Sequence, residues 1–150
     1  MKICLVSCGK AKKAFSTPAK DLYTSSRFLK SRYIAEKYFD SWFILSAKHG
    51  LLLPEKIISP YNITLNSFSV TQNKKWSKEV FIALQKKLEA KTNITILAGK
   101  NYYHYLVPLL VQNDFNINLP LKGKGMGKSL QILNQIILTE GKEWKVKDDK

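Results

Sequence analysis

Short apolar runs alternating with helical stripes constrain this chain more than any other feature. Ile3-Cys4-Leu5-Val6, Trp42-Phe43-Ile44-Leu45 and Ile94-Thr95-Ile96-Leu97-Ala98 read as strands buried on both faces, the first closed by Gly9 and the third by Gly99. Between the first two, Ser25 or Ser26 can cap a helix to about residue 39, with Phe28, Leu29, Tyr33, Ile34 and Tyr38 inward. Thr71 opens a long amphipathic helix with Trp76, Val80, Phe81, Leu84 and Leu88 on one stripe and Lys74, Lys75, Lys78, Lys86 and Lys87 on the other. A helix over residues 102–111 follows the third strand, and Pro108 predicts a kink or break in it. Residues 115–119 read as a fourth strand and residues 129–138 as a final helix.

Such alternation predicts an α/β fold with a short, mainly parallel sheet of about four strands and helices on both faces. One domain over residues 1–140 suits the length, with 141–150 as a polar tail. Residues 48–70, punctuated by Pro54 and Pro60, form a connection long enough to be a functional candidate.

The formal net charge is +14, from 25 Lys and Arg against 11 Asp and Glu, and only Arg27 and Arg32 are arginines. Lysine-rich composition bias would raise Glu as well, and Glu is scarce, so the charge reads as an electrostatic footprint for a nucleotide or nucleic acid. No segment approaches the roughly 18 apolar residues that span a bilayer, and the first residues lack a secretory pattern. Cys4 and Cys8 sit on the first strand and its exit, with Cα atoms roughly 13 Å apart, too far to bridge. A reduced, cytoplasmic protein with no metal and no cofactor is the expectation.

Ligands of parallel sheets bind beyond the carboxyl ends of the strands. The first such turn holds Ser7, Gly9, Lys10, Lys12 and Lys13, then Asp21 and Tyr23. Ser7, Gly9 and Lys12 fit phosphate binding, and Lys10 fits both that role and catalysis. Asp21 among so many cations reads first as a cap or salt-bridge acid, and otherwise as a general base. The second turn offers Lys48 for phosphate and His49, either a proton-transfer group or a structural residue, whereas His104 reads as bland. The third places Tyr102 and Tyr103 after Gly99-Lys100-Asn101. Tyr23 or Tyr102 could stack on a base, although core packing is the commoner fate of such residues. The fourth, Lys122-Gly123-Lys124-Gly125-Met126-Gly127-Lys128-Ser129, matches neither the P-loop nor the dinucleotide spacing. It survives as a generic anion site at a helix N-terminus, with Gly125, Gly127 and Lys128 as phosphate ligands, or as a turn whose glycines permit close helix packing.

Ser7-Cys8-Gly9-Lys10, Pro18-Ala19, Asp21-Leu22-Tyr23, Phe28 and Arg32, then Ile44 to Leu51, Pro60-Tyr61, Ala98-Gly99 and Gly125-Met126-Gly127, together resemble small bacterial and phage proteins related to the peroxide-stress protein YaaA. The resemblance covers roughly residues 1–135. It implies a three-layer fold similar to uracil-DNA glycosylases. The Ser-Cys-x-x-Lys start is also similar to the lysine-transferring domain of archaeosine synthase. The Gly-Gln-Asp-Pro-Tyr motif of glycosylases is missing. Charge and resemblance together favour an enzyme acting on a nucleobase, at the N-glycosidic bond or an exocyclic group, in a nucleotide or nucleic acid. The alternatives are a non-catalytic basic protein that coats DNA and a small protein that binds an acidic protein partner.

Overall fold

The computed structural model describes residues 1–140, so the tail expected over 141–150 lies outside the described residues. Strand β1 (Lys2–Ser7) is central because its residues are apolar on both faces. It pairs in parallel with β3 (Ser41–Ser46) and with β6 (Asn93–Leu97), and β7 (Asn116–Asn118) continues the parallel set beyond β6. Leu5 lies opposite Phe43 on one side and Ile96 on the other.

The alternation of side chains divides the core in two. Ile3, Leu5, Phe43, Leu45, Ile94 and Ile96 face α3 (Val70–Lys87) and α5 (Leu106–Gln112). Cys4, Val6, Ile44 and Leu97 face α1 (Ala19–Leu22), α2 (Ser26–Tyr38) and α6 (Met126–Leu138). Helices therefore cover both faces of the sheet. None of those described is long and apolar enough to cross a membrane.

The sheet is not the mainly parallel four-stranded one expected. Among the described residues it is a mixed sheet of five strands in the order β4-β3-β1-β6-β7, in which β4 (Gly50–Leu52) runs antiparallel to β3. Ser46 Oγ accepts the His49 N–H at 3.0 Å, and Gly50 takes a left-handed φ of 68° that an L side chain would resist. The chain thus turns back in a hairpin instead of crossing over. The segment 48–70 is correspondingly not an open loop. After β4, β5 (Ile57–Ile58) pairs with β2 (Thr17–Pro18), and a 3-10 turn follows at Leu65–Ser67.

Other boundaries moved for local reasons. Ser25 is the N-cap of α2, its Oγ accepting from Phe28 N at 3.2 Å, but Leu29 and Tyr33 are exposed and Ser31 and Ala35 take their expected inward places. The helix expected over 102–111 is broken into α4 (Lys100–Tyr103) and α5 at His104-Tyr105. Pro108 falls in the first turn of α5, where its missing N–H costs nothing. The α3 stripe is as expected: Trp76, Val80, Phe81 and Leu84 are buried, and Lys74, Lys75, Lys78, Lys86 and Lys87 are exposed.

Candidate functional site

At the carboxyl ends of β1 and β6 lies a crevice of about 570 Å³. The turn leaving β1 contributes Ser7 through Lys12, and the Cys8 N–H holds it in place by donating to Leu45 O at 2.9 Å. Gly99 through Tyr102 leave β6 on the other side, the start of α2 adds Ser25 and Arg27, and residues 62–64 and Asn66 close the rim.

Gly9 is required by a close approach. A Cβ there would stand 2.9 Å from Ser25 Oγ, the atom that caps α2. A Cβ at Gly99 would make only ordinary contact with Arg27, its Nη2 and Nη1 at 3.8 and 3.9 Å. Arg27 Nε is buried with no hydrogen-bond partner among the described residues. Burial lowers the guanidinium's affinity for its proton, and the neighbouring Tyr102 opposes that shift. Arg32, on the same helix, is by contrast paired with both Asp21 and Glu36.

Lys10, Lys12, Arg27 and Lys100 all line this crevice, and among the described residues no carboxylate does. Lys12 Nζ donates to Lys10 O at 3.1 Å and sits 4.5 Å above the Tyr61 ring and 5.8 Å from the centre of Tyr23. Burial pulls the Lys12 ammonium below its ordinary pKa, with Cys8 acting in the opposite sense. Cys8 Sγ lies 3.3 Å from the Tyr102 hydroxyl, and burial pushes that phenol well above its ordinary range. The Tyr102 ring is braced edge-on by Trp76 at 5.8 Å.

Of the expected site residues, Ser7, Gly9, Lys10, Lys12 and Tyr102 converge here. Asp21 does not: its Oδ1 accepts from Arg32 Nη1 at 2.8 Å, and this partner holds its carboxyl below the usual carboxylate range. Lys48 and His49 are also elsewhere, because β3 turns back into β4 rather than opening towards the crevice. Lys48 is exposed, and the His49 ring packs edge-on against Tyr61 at 5.6 Å. Tyr23 is a core residue, 1% exposed, with its hydroxyl 2.7 Å from that of Tyr61, which in turn is 2.8 Å from Ser46 Oγ. Its ring packs against that of Phe28, with centroids 4.9 Å apart and planes tilted by 48°. Gly125, Gly127 and Lys128 are exposed and do not line the crevice, although Met126 between them does. A Cβ at Gly125 or Gly127 would meet nothing within 4 Å, so helix packing does not require these glycines. His104 is exposed.

Sequence reasoning missed Arg27 and Cys8 as members of the site. The available signal for Arg27 was its place in the first turn after a capping serine, as one of two arginines among many lysines. Among the described residues no group of three or more His, Cys, Asp or Glu could hold a metal ion.

Residues 3–135 match the model of a family of unknown function, DUF6884. The chain is similar to the Bacillus subtilis (strain 168) uncharacterized protein YfjM, 30% identical over 151 residues that cover 91% of this chain and 95% of that protein. No solved structure matches significantly.

Proposed function

The chain belongs to the DUF6884 family of unknown function, and we propose that its crevice binds a phosphate-bearing ligand, a nucleotide or nucleic acid, and acts on the nucleobase. The observation that carries this reading is the lining: Lys10, Lys12, Arg27 and Lys100, with no carboxylate from the described residues among them. Four cations in one concave site repel one another unless an anion sits between them. The fork of Arg27 suits two phosphate oxygens at once, and its buried Nε lacks a protein partner. The size of the crevice is that of a small-ligand site, and Tyr102 offers an aromatic ring for a base.

Base-directed chemistry needs a proton-transferring group beside the ligand. With Asp21 held by Arg32 and His49 held under Tyr61, that role falls to Lys12, which lines the crevice and whose ammonium burial makes easier to deprotonate. A relation to the YaaA-like proteins and to the uracil-DNA-glycosylase fold forms part of the same reading, supported by the order of motifs from Ser7-Cys8-Gly9-Lys10 to Gly125-Met126-Gly127. So does a reducing cytoplasmic setting, which suits the free thiols Cys4 and Cys8.

Titration with pyrophosphate and with nucleoside monophosphates tests the proposal. Binding should occur, weaken as salt is added, and weaken in Lys10→Ala and Arg27→Ala. Failure of every phosphate probe to bind at low salt would reject it. The exposed lysines of α3 favour a second reading, non-catalytic coating of DNA. That reading requires loss of affinity when Lys75, Lys78 and Lys86 are replaced and none when Lys10 is.

A further inference from the structure

We infer that the ligand is a single-stranded nucleic acid, with one nucleotide in the crevice and its neighbour in a second depression beside it; this rests on the phosphate-binding reading of the crevice. The second depression, of about 310 Å³, includes Phe68, Asn73, His104 and Tyr105 in its lining, and it shares Asn66, Lys100 and Asn101 with the crevice. A ligand leaving the crevice across Lys100 enters it directly. Between two of the shared residues, Asn101 Nδ2 donates to Asn66 Oδ1, and both residues are exposed. Asn73 Nδ2 donates to Asn101 O at 2.9 Å and fixes the backbone beneath this clasp.

The chemistry continues across the boundary. Among the described residues no carboxylate lines the second depression either, and Lys74 Nζ lies 5.6 Å over the ring of Tyr105. Its aromatic groups, Phe68, His104 and Tyr105, suit a base, and its shared cation, Lys100, suits the phosphodiester that joins two nucleotides. A mononucleotide would leave this depression unused. A duplex keeps its base faces stacked, and a concave site reaches them only when the strand is open.

The test compares a nucleoside monophosphate, short single strands of DNA and RNA, and a duplex of the same sequence, by fluorescence anisotropy or calorimetry. A single strand of either sugar should bind roughly tenfold or more tighter than the monophosphate. His104→Ala, Lys74→Ala and Tyr105→Ala should weaken strand binding and leave monophosphate binding unchanged, whereas Lys10→Ala should weaken both. His104 and Lys74 are exposed, so these two variants keep the test valid if Tyr105→Ala fails to fold. Monophosphate binding with no gain from a strand, equal binding of duplex and strand, or equal losses for both ligands in the second-depression variants would each overturn the inference while leaving the crevice reading intact. Absence of binding by every probe would overturn both.

Discussion

Asp21 Oδ1 accepts a hydrogen bond from Arg32 Nη1 at 2.8 Å, and Arg32 Nη1 also donates to Lys20 O at 2.8 Å. The pair ties the short α1 to α2 on the side of the sheet away from α3. Asp21 is thereby committed to structure. Asp21→Asn should cost no more than about 1 kcal/mol in a denaturant melt, as expected of a partly exposed ion pair, and should leave phosphate binding intact. Loss of binding at unchanged stability would return Asp21 to the site.

Arg27 has the opposite balance. Its Nε is buried without a partner, so Arg27→Met should leave the melting temperature unchanged or raise it. The same substitution should weaken pyrophosphate binding roughly tenfold or more, the worth of a charge-assisted hydrogen bond, and Arg27→Lys should restore only part of it. A variant that melts earlier yet binds normally would make Arg27 a packing residue.

These two arginines also show how far the sequence could be read. The strand runs, the capping serine and the α3 stripe follow from local pattern, because burial on both faces and a 3.6-residue period leave direct marks. The hairpin at His49-Gly50 carried a signal too, a glycine between two apolar runs, but the apolar run of β4 is only three residues long. The membership of the crevice was legible where residues follow a strand directly, as Ser7, Gly9, Lys10 and Tyr102 show. It was not legible where membership depends on which carboxylate reaches which cation. Asp21 finds Arg32 across 11 positions and leaves Arg27 unpaired, a choice made by helix phase and tertiary packing.

Gly9→Ala tests the geometry beneath the crevice. The new Cβ would stand 2.9 Å from Ser25 Oγ, which cannot move without releasing the Phe28 N–H. The expected cost is about 1 kcal/mol, that of a lost N-cap, together with weaker phosphate binding as the start of α2 shifts. A double variant, Gly9→Ala with Ser25→Gly, should recover part of the stability by removing the collision. Full stability in the single variant would show that the turn has room to spare.

His49 gives the chain a pH dependence. Its ring packs on Tyr61, its Nε2 is buried without a partner, and burial, followed by the charges of Lys48 and Lys56, lowers its pKa below 6.5. The unfolded chain then binds the His49 proton more tightly than the folded one, so stability is full above 6.5 and falls as pH drops below it. His49→Gln should flatten the melting temperature between about pH 7 and pH 5. An unchanged slope would place the titration on another group.

The two cysteines should differ in reactivity. Cys4 is fully buried in the core, and burial raises its thiol pKa far above the ordinary value, so it presents neither access nor thiolate. Cys8 lines the crevice with its Sγ 3.3 Å from the Tyr102 hydroxyl, within reach of a small reagent entering from solvent. Iodoacetamide should therefore alkylate the native protein once, at Cys8, and reach Cys4 only when the fold opens globally. Mass spectrometry of the digested product reads the site directly, and Cys8→Ser should abolish native labelling. Pyrophosphate at saturating concentration should slow the reaction, because a phosphate held by Lys10, Lys12 and Arg27 occupies the same crevice. Labelling of Cys8 at an undiminished rate in the presence of bound pyrophosphate would place the anion elsewhere on the surface. Rapid labelling of Cys4 in the native protein would contradict the packing of β1 itself.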